Sequence, residues 1–153
     1  MTDAIRHSFW PEVLHNHIFI ITLTVWLMAQ TIKVILGVIK ERRFDFRWFI
    51  GTGGMPSSHA AGASALATLV GLQYKFDSPM FAIAASFAMV TMFDAQGVRR
   101  STGQQATILN KMMEDIYWKG TIEADRLKEL VGHTPTQVLA GFVFGVVSAL
   151  ILY

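Results

Sequence analysis

The chain has 153 residues, of which 52% are apolar and only 16% charged, too little polar surface for a soluble bundle of this size to cover several long apolar helices. The net charge of +2 is modest and the basic residues lack interleaved aromatics, so nucleic acid is excluded and anionic lipid or phosphate is the expected partner. With no cysteine, disulfides, thiolate nucleophiles and thiolate metal sites are excluded as well.

Met1 to Trp10 carries Asp3, Arg6 and His7 without a compact apolar core or small-residue cleavage site, so no cleaved signal peptide is expected. Met1 to His17 reads as a short interfacial helix or an irregular lead-in, broken by Pro11, with Trp10 at headgroup depth. Four later stretches approach or pass the roughly 17 apolar residues needed to cross a bilayer: residues 18–39, 56–74, 79–94 and 135–153. They predict an all-α integral membrane bundle of four transmembrane helices, a single domain over residues 1–153 with added interfacial helices.

Pro56 suits the first turn of the second span, where its missing N–H would have no partner. Gln73 to Ser78 is long enough only for a tight hairpin. The polar region 96–133 contains Ile108, Leu109, Met112, Met113, Ile116 and Tyr117 at helical spacing, opposite Asn110, Lys111, Glu114 and Asp115. This pattern predicts an amphipathic helix lying on the membrane or capping the bundle. Glu123 to Val131 reads as a second short helix. Thr134-Pro135-Thr136-Gln137 has the form of a capping box with proline at the first helical position. In the span that follows, Gly141 and Gly145 offer a close helix contact and would permit a homodimer.

Four alternating spans place the end of the first, the start of the second, the end of the third and the start of the fourth on one side. Eleven lysines and arginines fall on that side, against Arg6 and Lys75 on the other. Discounting Lys33, Arg42, Arg43, Arg99 and Arg100 as candidate ligand contacts still leaves the excess, so this side is expected to be cytoplasmic.

The chemistry-bearing residues collect there. Gly51 to His59 is a glycine-rich turn running into a helix start, where the N–H groups of Ser57, Ser58 and His59, two hydroxyls and the helix dipole would make an anion cradle. The plainer reading is an N-cap with a surface histidine. His133 stands before another helix start, as a cap residue or as the partner of His59: one nucleophile and one general acid for phosphoryl transfer. A zinc pair would need acidic ligands that no recognisable spacing provides. Asp94, ending an apolar helix ahead of Arg99 and Arg100, should face the bundle, either pairing with an arginine or sharing in phosphate recognition. Gln30 and Lys33 point to the same layer, unless Lys33 snorkels.

Behind Ala29-Gln30-Thr31-Ile32-Lys33, the runs Gly-Gly-Met-Pro-Ser-Ser-His (53–59), Asp-Ala-Gln-Gly-Val-Arg-Arg (94–100) and Gly-His-Thr-Pro-Thr-Gln-Val (132–138) resemble the divergent branch of the type-2 phosphatidic acid phosphatase and vanadium haloperoxidase superfamily. The resemblance covers about Ala29 to Gly145. It implies a metal-free lipid-phosphate phosphatase without a cofactor, acting on a lipid such as phosphatidate, phosphatidylglycerophosphate or prenyl phosphate. It further implies His133 as nucleophile, His59 as general acid, and phosphate contacts from Lys33, Arg42, Ser57, Ser58, Arg99 and Arg100. The parental Lys and Arg pair has its spacing in Lys40 and Arg47, with Trp48 where proline is expected. In the third parental motif Leu127 occupies the arginine position and Gln137 replaces the aspartate, so Asp94 is the expected source of the orienting carboxylate. If these substitutions are not compensated, the fold would persist without the activity, as a non-catalytic anionic-lipid-binding or scaffold protein.

Overall fold

The computed structural model of the chain describes residues 2–42, 54–96, 105–113 and 133–153, with side chains from residue 9 onward in the first stretch. Every regular element among them is a helix: α1 (Thr2–His15), α2 (His17–Glu41), α3 (Ser58–Tyr74), α4 (Pro79–Gln96) and α5 (Pro135–Leu152), with a further helical stretch over 105–113. α2, α4 and α5 are long and apolar enough to cross a membrane. α3, at 17 residues, falls just short of that length, so the structure supports three of the four expected spans.

Pro11 does not break α1, which continues to His15, where the imidazole Nδ1 lies 2.6 Å from the Pro11 carbonyl oxygen. Asn16 separates α1 from α2 as an N-cap, its Oδ1 accepting from the Phe19 N–H at 3.0 Å. Pro56 lies ahead of α3 instead of inside it, because the capping residue is Ser57.

α3 is the axis of the bundle and packs against α2, α4 and α5. Composition explains this: Ala60, Ala61, Gly62, Ala63, Ser64 and Ala65 are all buried, and small side chains let neighbouring backbones approach on every side. The large apolar residues stand on the outer helices and point away, among them Leu27 and Leu36 on α2, Ile83 and Phe87 on α4, and Leu139 and Ile151 on α5, all exposed. In a bilayer these meet lipid.

The closest seam is between α5 and α3. A Cβ on Gly141 would overlap the Ser57 carbonyl, and one on Gly145 would overlap the Ala61 carbonyl and the Ser64 hydroxyl. Both glycines are therefore used within the chain, in the seam with α3. Ser64 Oγ adds a hydrogen bond to the Phe142 carbonyl across the seam, at 3.2 Å. At the far end Tyr153 Oη donates to Gln73 Oε1 at 3.0 Å. The α3–α4 hairpin turns at Lys75 (φ 72°), with the Phe76 ring lying over Gly71.

The helix over 105–113 is amphipathic, as expected, and buries a narrow polar-and-small face instead of its apolar one. Ala106 and Asn110 are buried, while Ile108, Leu109 and Met112 are exposed. At 3.6 residues per turn the buried face, the apolar face and the face carrying Thr107 and Lys111 divide the helix into three. That division suits a helix at a membrane boundary, touching protein, lipid and water at once. The second short helix expected at Glu123 to Val131 lies outside the described residues.

Candidate functional site

The candidate functional residues His59, Ser57, Ser58 and His133 collect where α3 and α5 begin and α4 ends. Ser57 is fully buried and caps α3 through its side chain, Oγ accepting the Ala60 N–H at 3.3 Å. Its own N–H donates to the Gln137 carbonyl at 3.1 Å. This corrects the expected anion cradle: the Ser57 N–H is committed to α5. Ser58, also buried, keeps the first helical position, where the helix gives its N–H no partner.

α5 starts as its sequence predicts. Thr134 is the N-cap, its N–H donating to Gln137 Oε1 at 3.0 Å while Gln137 N–H donates to Thr134 Oγ1 at 3.4 Å. Gln137 is therefore engaged at the helix start. His133, immediately before the cap, is 1% exposed, and both ring nitrogens are buried. Its backbone N–H donates to the Ala95 carbonyl at 3.1 Å, filling one of the carbonyls that the C-terminal turn of α4 leaves without a helical partner. Ala60, Ala95 and Val138 form one buried cluster, fastening the three helix ends together.

This packing brings the two histidines face to edge, ring centroids 6.1 Å apart and planes at 79°. His59 is half-buried with Nδ1 inside. They come from helix starts far apart in the sequence, and the Gly141 contact with Ser57 sets their separation.

Lys33 turns into the bundle instead of snorkelling: it is 9% exposed. A Cβ on Gly54 would stand 2.9 Å from Lys33 Cγ, and Gly54 has φ +86°, so glycine is required there both for conformation and for the room the lysine stem takes. One turn earlier Gln30 is 5% exposed.

Two expected participants stand elsewhere. Arg42 is the exposed C-cap of α2, with φ 52° and its N–H on the Val38 carbonyl at 2.8 Å. Nine residues beyond Lys33, it is about 14 Å further along the helix axis. Asp94 is exposed, so its expected burial is not found. The buried residue at the end of α4 is Ala95, and what reaches His133 from there is a backbone carbonyl. Arg99, Arg100, Leu127, Arg47 and Trp48 lie outside the described residues. Among the described residues, no three histidine, aspartate or glutamate side chains gather to hold a metal.

Ala95 and Gly54, quoted in the motifs, have roles the sequence analysis did not assign: the bond to His133 and the room for Lys33. A signal existed for Gly54, a glycine preceding Met55-Pro56 where the chain must pass over a neighbouring side chain.

The layer thus offers two imidazoles, a buried ammonium group and the hydroxyl of Ser58, which together can bind an oxyanion and move protons. No solved structure matches the chain. It is 41% identical over 152 residues to YuiD, an uncharacterized membrane protein of Bacillus subtilis (strain 168), with 92% of this chain and 96% of that protein covered. Matched over residues 14–148, a range that takes in both histidines and all of α2, α3 and α4, the chain belongs to the Divergent PAP2 family.

Proposed function

We propose that this membrane protein is a lipid-phosphate phosphatase working through a phosphohistidine. The observation that carries the reading is the His59–His133 pair, 6.1 Å between centroids, at the starts of two helices and in one layer with buried Lys33. Neutral His133 attacks phosphorus in line, forming an N–P bond as the bond to the lipid oxygen breaks. His59 gives its proton to that oxygen. Water then attacks the phosphohistidine, His59 takes the water's proton, and phosphate leaves with His133 restored. Lys33, the Ser58 hydroxyl and the helix start after Ser57 neutralise the charge on the equatorial oxygens, and Arg99 and Arg100 are proposed to add guanidinium contacts. His133 is oriented by its backbone bond to Ala95.

In this reading α3 crosses the bilayer as a fourth span. Its 17 residues rise about 26 Å, and the larger helices around it shield it from lipid. The histidine layer then faces the cytoplasm, following the excess of lysine and arginine on that side. The substrate is a phosphomonoester or pyrophosphate on a lipid: a phosphatidate, a phosphatidylglycerophosphate or a prenyl phosphate.

A second reading is a non-catalytic protein that binds anionic lipid headgroups. It is favoured by exposed Asp94 and by Gln137, which stands at the parental aspartate position and is engaged in capping. Phosphate release from a panel of lipid phosphates by the purified protein decides between the two. Catalysis predicts release by the wild type and a loss of several orders of magnitude in His133→Ala and His59→Ala; wild-type binding without release would establish the second reading.

A further inference from the structure

The outer face of α5 carries a groove that the packing of the bundle leaves open. Thr136, Leu139, Ala140, Val143, Phe144 and Val147 line a volume of about 610 Å³. Their spacing of three and four residues sets them in one stripe along the helix. Leu139, Val143 and Val147 are exposed while Ala140 among them is half-buried, so the alanine forms the floor. Phe144 packs against the buried cluster that contains Val25 and Ala29 of α2, which makes it the edge of the groove on the α2 side.

The two ends stand at defined levels. At the mouth is Thr136, three residues past His133, its hydroxyl 2.8 Å from that of Thr134, the residue next to His133. At the inner end is Val147, just past Gly145, which seats against Ala61 and Ser64 near the middle of α3. Beyond it Leu150 and Ile151 restore a surface of large exposed side chains. From Thr136 to Val147 the helix rises about 16 Å, and one leaflet of a hydrocarbon core about 30 Å thick measures about 15 Å. The groove is thus polar where headgroups lie, apolar along its length, and closed where the leaflet ends.

We propose that this groove seats one hydrocarbon chain of the lipid phosphate whose headgroup occupies the histidine layer, with Ala140 setting the room for that chain. The inference rests on the phosphate-handling reading above for its headgroup and on the crossing of α3 for its depth, and does not depend on turnover. Inside a bilayer apolar surfaces gain no hydrophobic energy by meeting, so close fit is what holds the chain. Filling the groove is therefore enough to remove the site.

The test uses the full chain in phosphatidylcholine liposomes, with a long-chain alkyl phosphate carrying a photoreactive diazirine at mid-chain as the probe. Crosslinked residues are mapped by peptide mass spectrometry, with unlabelled alkyl phosphate and the corresponding alcohol as competitors. Crosslinks are expected between Leu139 and Val147, reduced by excess alkyl phosphate and not by the alcohol. Ala140→Leu raises the floor, and Val143→Phe crowds the groove from an exposed position. Each should lower crosslinking to α5 about tenfold, the effect of a small misfit in an apolar site, with an unfolding temperature close to that of the wild type. Ala82→Leu, at an exposed position of α4, adds the same bulk elsewhere and should leave crosslinking unchanged. Crosslinks spread alike over the exposed faces of α2, α4 and α5, equal competition by the alcohol, wild-type crosslinking in both groove variants, or an equal loss in Ala82→Leu overturns the proposal and leaves bulk lipid as the occupant. Crosslinks confined to the groove, with no phosphate released from the same alkyl phosphate or from the lipid panel, overturn the phosphatase reading alone.

Discussion

Gly141→Ala tests whether the α3–α5 seam sets the geometry of the site. The added methyl would overlap the Ser57 carbonyl and stand 3.0 Å from Ala60 Cβ and 3.1 Å from Ser57 N. All three atoms lie on the helix start that holds His59; two are backbone and the third is a Cβ, so none can rotate away. Relief requires α5 to back away by roughly an ångström, given ordinary carbon–carbon contacts of about 3.5–4.0 Å. That movement stretches the Ser57 N–H bond to the Gln137 carbonyl, now 3.1 Å, beyond useful length. Losing it costs about 1 kcal/mol and the overpacking about 1–3 kcal/mol more, so a destabilisation of about 2–4 kcal/mol is expected. The same shift separates the histidines, and a misplacement of about 1 Å in a catalytic pair costs about a hundredfold in rate. The assay is thermal unfolding in detergent together with turnover of a lipid phosphate. Gly145→Ala is the control, one turn deeper: it should lose comparable stability and less turnover. A Gly141→Ala protein with wild-type unfolding temperature and wild-type turnover would refute the reasoning.

Thr134→Ala removes the side-chain half of the capping box and should cost about 1 kcal/mol, read as a lower unfolding temperature; an unchanged temperature would show that the cap bond is dispensable. Orthovanadate, a five-coordinate mimic of transferring phosphate, should compete with lipid phosphate, and turnover should survive a strong chelator. Loss of activity with chelator and recovery with magnesium would replace the histidine scheme with a metal-assisted one. Orientation can be read by impermeant thiol labelling in intact cells, because the native chain has no cysteine. Lys75→Cys at the hairpin should label and Lys119→Cys should not, and the opposite pattern would invert the topology.

What the sequence made legible was local. Thr134-Pro135-Thr136-Gln137 announces a helix start because its bonds run between residues three apart, and α5 begins there. His59 and His133 were placed on one side by the alternation of apolar stretches, and they meet at 6.1 Å. What was not legible depended on rotation about helix axes. Asp94 and Ala95 are neighbours about 100° apart on α4, and the sequence gives no reason to prefer the small residue as the inward one until the Ala60 and Val138 contacts are seen. The resemblance implies Arg42 as a phosphate contact beside Lys33, yet an αL cap sends it to the exposed end of α2. The Gly141 and Gly145 spacing correctly signalled a close helix contact, but a spacing cannot say whether the partner helix belongs to the same chain.

The hydrogen bond between the His133 N–H and the Ala95 carbonyl, at 3.1 Å, acts as a clasp at the neck of the long excursion from the end of α4 to the start of α5. Its two ends, Ala95 and His133, adjoin, so the contour length between them is decoupled from the distance between the helices it joins. Closing a longer loop costs little, about 0.6 kcal/mol for each doubling of its length, and the clasp keeps that cost from being transmitted to the histidines. The clasp therefore holds the two helix ends, and with them the pair of imidazoles, in register whatever the length of chain between them.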